Sequence, residues 1–178
     1  MYAMTIRTTS AHAIWAFLML LSGIQMPAAA QEDGTFTLYL VRHAEKELDA
    51  QDPDLTACGV ERSESLTAFF DAVPLEAVYS TDFRRTMNTA LPTARAKGLE
   101  VQAYDPRALE GAMEELLQKQ QDALVVGHSN TTGVLAGLLV GEDIGSFDES
   151  IYNRVYQVVV SAQGNRLHVL HTAFHCGH

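Results

Sequence analysis

Two histidines and three arginines stand where apolar runs stop. Leu38-Tyr39-Leu40-Val41 leads straight into Arg42 and His43, Leu75 to Tyr79 is followed closely by Arg84 and Arg85, and Ala123-Leu124-Val125-Val126 ends at Gly127-His128. Guanidinium groups stay charged at any working pH and present a planar fork that matches phosphate oxygens, so two of them hold an anion by bidentate hydrogen bonds. A neutral imidazole beside them can attack phosphorus and split one hard displacement into two easier ones. A second, protonated imidazole would add charge stabilisation to equatorial oxygens already facing the arginines. The pattern is that of an anion site with a nucleophile in it.

Such a site needs elements that bring distant segments to one edge. Strand and helix signals alternate, which predicts an α/β three-layer sandwich: a mostly parallel central sheet with helices on both faces. Residues 36–41 read as the first strand. Thr56 can cap a helix in which Leu66, Phe69, Phe70 and Val73 share one face, ended by Pro74. Leu75 to Tyr79 reads as a second strand, and Ser80, Thr81 and Asp82 offer caps for a helix through Arg95 that Pro92 should kink or divide. A third strand over Glu100 to Tyr104, a helix over Leu109 to Gln120 and a buried fourth strand over Ala123 to Val126 follow. Residues 131–140 read as an apolar helix whose Gly133, Gly137 and Gly141 allow close helix–sheet approach, and Val155 to Ser161 with Arg166 to Thr172 close the sheet. In open α/β sheets the ligand crevice lies beyond the carboxyl ends of the strands, which gathers Arg42, His43, Arg84, Arg85 and His128 on one edge.

The first thirty residues carry Arg7 and no acid, then the apolar run IWAFLMLLSGI, then Met26-Pro27-Ala28-Ala29-Ala30. This is the pattern of a secretory signal peptide cut after Ala30, with a retained membrane anchor as the rival reading. Residues 31–178 then form one domain, expected in the periplasm or secreted, with no stable membrane anchor after cleavage. Twelve basic side chains less Arg7, against 22 acidic ones, leave that domain at a net −11. Such a balance argues against nucleic-acid or anionic-membrane partners, which need a basic face. It also makes a local cluster of arginines meaningful. Cys58, in a predicted helix, and Cys176, in a predicted frayed tail, are not expected to pair, although the compartment would allow it.

Four short motifs carry a resemblance. Arg42-His43-Ala44-Glu45 is similar to the Arg-His-Gly-Glu signature of the histidine phosphatase superfamily, also called phosphoglycerate mutase-like. Leu55-Thr56-x-x-Gly59 resembles that family's Leu-Thr-x-x-Gly helix start. Tyr79-Ser80-Thr81-Asp82-Phe83-x-Arg85-x-x-x-Thr89-Ala90 resembles its Ser-Asp-Leu-x-Arg-x-x-x-Thr-Ala segment, and Val125-Val126-Gly127-His128 the strand that delivers its second histidine. The motifs occur in family order, as in a short branch 1, exported bacterial member. The resemblance implies a phosphomonoesterase working through a phosphohistidine on His43, with Arg42 and Arg85 as phosphate clamps and His128 as partner imidazole. Arg84 then reads as a solvated neighbour. Ala44 and Ser129 stand where many members have glycine, and both substitutions are small enough to keep the pocket. Glu110 is the candidate general acid, balanced against a plain helix-start carboxylate; Asp105 is a weaker candidate.

No metal and no cofactor are expected, because the arginines supply the charge. His168, His171, His175 and His178 lack the spacing of a metal motif, and residues 47–54 do not match a calcium loop. Lys46 is either a phosphate attractor or a solvated loop charge. The expected partner is a small phosphorylated substrate, an envelope sugar phosphate being the guess that fits export. Mutase and protein phosphohistidine phosphatase activities fit less well, and a non-catalytic phospho-ligand or metal-binding envelope protein is the alternative from another class.

Overall fold

In the computed structural model of the chain the described residues are Met1, 34–48 and 51–177. The chain divides into Met1–Gln31 and Glu32–His178, and the predicted leader lies, beyond Met1, outside the described residues. Six strands form one sheet: β1 (Phe36–Arg42), β2 (Ala77–Thr81), β3 (Val101–Tyr104), β4 (Ala123–Gly127), β5 (Arg154–Val160) and β6 (Arg166–His171). Their spatial order is β3-β2-β4-β1-β5-β6. The first four run parallel; β5 runs antiparallel to β1, and β6 antiparallel to β5.

Four helices cover the two faces: α1 (Ala57–Phe69), α2 (Arg84–Lys97), α3 (Leu109–Lys119) and α4 (Thr132–Val140). Alternation along β1 shows how the sheet separates two cores. Phe36, Leu38 and Leu40 join Leu116 and Leu135 on one face, while Val41 joins Leu66, Phe70 and Ala90 on the other. Right-handed crossovers dictate this division. The steps β1 to β2 and β2 to β3 move one way across the sheet and place α1 and α2 on the same face, whereas the step from β3 back to β4 reverses direction and sends α3 to the opposite face. Helix α4 joins α3 there, with Leu135 and Leu139 in the same core as Leu116, so neighbouring strands β1 and β4 send their following helices to opposite faces. That divergence opens the crevice at their carboxyl ends.

Some local readings need correction. Ser80 and Thr81 belong to β2 itself, and α2 begins after Phe83 with no side-chain cap. Pro92 lies inside α2, which continues to Lys97 without dividing. Gly133 and Gly137 permit a close approach, but to backbone rather than to the sheet: added methyl groups would strike the carbonyls of Gly145 and Glu142. Cys58 and Cys176 form a disulfide with their Cα atoms 5.6 Å apart, because the tail returns past β6 to the first turn of α1. Among the described residues no helix is long and apolar enough to cross a membrane.

Candidate active site

The tip of β1 is locked before its side chains are considered. His43 N donates to the Gly127 carbonyl at 2.9 Å, joining the ends of β1 and β4. Ala44 N donates to Thr89 Oγ1 at 2.9 Å, and Thr89 Oγ1 donates to the Arg85 carbonyl at 2.7 Å. Thr89, from the motif that also carries Arg85, thus ties the signature loop to helix α2. The Leu-Thr-x-x-Gly motif does the same from the other side. Thr56 N donates to the Glu45 carbonyl at 2.9 Å, Thr56 Oγ1 accepts from Gly59 N at 3.1 Å, and any Cβ at Gly59 would collide with the Glu45 carbonyl.

His43 is buried, and its ring lies 5.5 Å from that of His128, at 69°. His43 Nδ1 stands 2.7 Å from the Ala44 carbonyl. A carbonyl only accepts, so Nδ1 carries the proton and Nε2 keeps a free lone pair. Burial first, then the charges of Arg42, His128 and Arg85, lower the His43 pKa to about 3, against the raising effect of the Ala44 hydrogen bond. The ring is therefore neutral at working pH, as a nucleophile must be.

His128 is fixed in the other tautomer. Its Nε2 lies 3.0 Å from Thr81 Oγ1, which donates to Thr86 Oγ1 at 2.9 Å, which in turn donates to the Thr81 carbonyl at 2.8 Å. The chain ends on a carbonyl, so each hydroxyl points toward it and His128 must donate from Nε2. Arg85 Nη2 faces the other nitrogen, Nδ1, at 3.4 Å, and an arginine can only donate. Burial, Arg85 and Arg42 lower the His128 pKa to about 4. The expected protonated second imidazole is thus corrected: in the free site both rings are neutral.

The two guanidiniums are held by aromatic faces and oxygens. Arg42 is buried, lies 4.2 Å from the centroid of the Tyr152 ring, and donates from Nη1 to the Glu149 carbonyl. Arg85 lies 4.6 Å from the Phe83 ring centroid and reaches Asp52 Oδ1 at 3.5 Å. The buried Nε atoms of Arg42 and Arg85 have no hydrogen-bond partner among the described residues. Around them lies a cavity of about 300 Å³ whose lining includes Arg42, His43, Arg85, His128, Lys46, Arg107, Asn130 and Glu149.

The structure brings four sequence candidates, Arg42, His43, Arg85 and His128, into this one cavity. It does not bring the others. Arg84 pairs with Asp54, Glu110 is exposed in the first turn of α3 and does not line the cavity, and Asp105 is exposed and paired with Arg107 at 3.0 Å. Sequence reading missed Tyr152 and Glu149, which precede β5. That strand runs antiparallel, with Val155 opposite Val41, so its beginning lies at the edge where parallel strands end. A reading of carboxyl ends alone passes over it.

Behind the signature loop, Arg62 donates to both carboxylate oxygens of Glu45, from 2.7 to 3.0 Å, and to the Phe174 carbonyl at 3.2 Å. The Cys58–Cys176 bridge closes this arrangement. Among the described residues one group, Glu45, Cys58 and Cys176, has donor atoms close enough for a metal. Its two sulfurs are bonded to each other and are not thiolate ligands.

A family model, the histidine phosphatase superfamily (branch 1), matches residues 38–106. Phosphoserine phosphatase 1 of Hydrogenobacter thermophilus is 39% identical over 71 residues, 36% of this chain and 34% of that protein, so the chain spans about a third of this curated relative's length. Among solved structures, the protein histidine phosphatase SixA complexed with tungstate aligns with a TM-score of 0.64 and 18% identity, over 77% of this chain and 97% of its own. The alpha-ribazole phosphatase of Shigella flexneri aligns at 0.65 and 17%, over 76% of this chain and 96% of its own. At such identities the structures speak for the fold.

Proposed function

From the match of the histidine phosphatase superfamily (branch 1) model to residues 38–106 and the fold shared with solved phosphatases, we propose that this chain is a phosphomonoesterase that forms a phosphohistidine on His43. The observation that carries the reading is the neutral His43 ring, its Nε2 lone pair free, beside two guanidiniums and a second imidazole in one cavity. Arg42 and Arg85 hold the phosphoryl oxygens, and His128 stands across from the nucleophile. His43 Nε2 attacks phosphorus, the N–P bond forms as the ester P–O bond breaks, and the leaving oxygen takes up a proton. Water then attacks phosphorus, the N–P bond breaks, and a water proton goes to the group that gave one up. The products are an alcohol and inorganic phosphate.

The arginines stabilise charge on the equatorial oxygens throughout, so the reaction needs no metal in this reading. The substrate is a small phosphate ester. Export is part of the proposal, and the disulfide supports it, since such bonds persist in oxidising compartments. An envelope sugar phosphate is accordingly the natural substrate to try first. The experiment is hydrolysis of an aryl phosphate with chelator present: the wild type turns over and His43→Ala falls to the no-enzyme rate. A His43→Ala protein as active as the wild type would remove the reading.

A further inference from the structure

We propose that Glu149, rather than an acid from the β3–α3 region, protonates the leaving oxygen. This rests on the phosphatase reading and deepens it. Among the described residues lining the cavity, Glu149 is the one carboxylic acid. Its charge also acts on the Arg85 guanidinium, favouring the protonated form.

Its position is built although the side chain is exposed. The Glu149 carbonyl accepts from Arg42 Nη1, which ties residue 149 to one clamp. Phe147 N donates to the Ser129 carbonyl at 3.0 Å, which ties the same segment to the residue after His128. Asp148 Oδ1 accepts from Ser150 N at 2.8 Å and closes a turn around Glu149. Three residues on, Tyr152 packs its ring on Arg42. The segment is therefore anchored on both sides of the cavity.

Direction of attack gives the carboxylate its task. In an in-line displacement the leaving oxygen lies opposite the nucleophile. His43 is buried at the cavity floor, so the leaving oxygen emerges toward solvent, where Glu149 is exposed. His128 is less suited: its Nε2 proton is committed to Thr81, and its Nδ1 accepts from Arg85. In this step the Glu149 carboxylate takes up the proton that a phosphate monoester monoanion carries into the cavity, and passes it to the leaving oxygen as the P–O bond breaks. The resulting carboxylate recovers a proton from the water that attacks the phosphohistidine.

A proton donor matters in proportion to how poor the leaving group is, and that distinguishes it from a structural residue. Wild type, Glu149→Gln and Glu110→Gln are compared on an aryl phosphate, whose phenolate leaves unaided, and on an alkyl phosphate, whose alkoxide does not. Glu149→Gln is expected to lose about 10²-fold or more in kcat/KM on the alkyl ester and to keep aryl turnover within a small factor. Equal losses on both esters, no loss on either, or an alkyl-selective loss in Glu110→Gln alone would each overturn the assignment. A wild type inactive on both esters would overturn the phosphatase reading itself, and Glu149's role with it.

Discussion

Burial makes His43 a weak base, and the weakness keeps its lone pair available. The same burial acts on stability. His43 and His128 have folded-state pKa values of about 3 and about 4, against 6.5 for a solvated ring. Between those values the unfolded chain binds protons that the folded chain refuses, so stability rises with pH across that window and falls on acidification from about pH 6.5. Denaturant titrations of the wild type at a series of pH values should show this slope, and His43→Asn should flatten it; parallel curves would mean that the imidazole is not held neutral. At this scale the four central residues were legible because each follows an apolar run and falls in a motif. Thr81 and Thr86 were not, since the order of their hydroxyls follows from a β2 two residues further along the chain than its apolar run suggests.

At the scale of elements, the site depends on what stands behind it. Arg62 of α1 binds the Glu45 carboxylate and the Phe174 carbonyl, and its guanidinium lies 5.8 Å from the Tyr152 ring that carries Arg42. The Cys58–Cys176 bridge fastens the tail to α1 across 118 residues. Removing it by Cys58→Ser with Cys176→Ser should cost about 2–4 kcal/mol of stability under non-reducing conditions, and an unchanged denaturation midpoint would show that the tail is held without it. Arg62→Met leaves the Glu45 carboxylate largely buried and unpaired, which costs about 3–5 kcal/mol. The bridge and the Arg62–Phe174 contact could not be read from the sequence, because both depend on the tail's path past β6. The antiparallel β5 hid Tyr152 and Glu149 in the same way. The parallel half of the sheet was legible, since strand and helix signals alternate through it without interruption.

For the whole molecule, charge is distributed against the site. A chain of net −10 repels anions at a distance, yet Arg42, Lys46, Arg85 and Arg107 line one cavity. Inorganic phosphate should bind there and raise the melting temperature; at one hundred times its dissociation constant the stabilisation is about 2.7 kcal/mol. Arg85→Ala should remove the shift. A shift that survives in Arg85→Ala would place the anion elsewhere. The excess of acid and the alternating elements gave the class of molecule from sequence. The gathering of positive charge at one edge was legible from the strand ends, whereas which strands stand side by side there, with β4 between β1 and β2, required the structure.

In the proposed reaction phosphorus becomes bonded to one particular nitrogen, Nε2 of His43. Rapid quenching under neutral or basic conditions during turnover of an aryl phosphate, followed by peptide mass spectrometry, tests it directly. Phosphate is expected on His43, acid-labile, absent from His43→Ala and prolonged when water attack is slowed. Phosphate on another residue, or steady turnover by the His43→Ala protein, would contradict it.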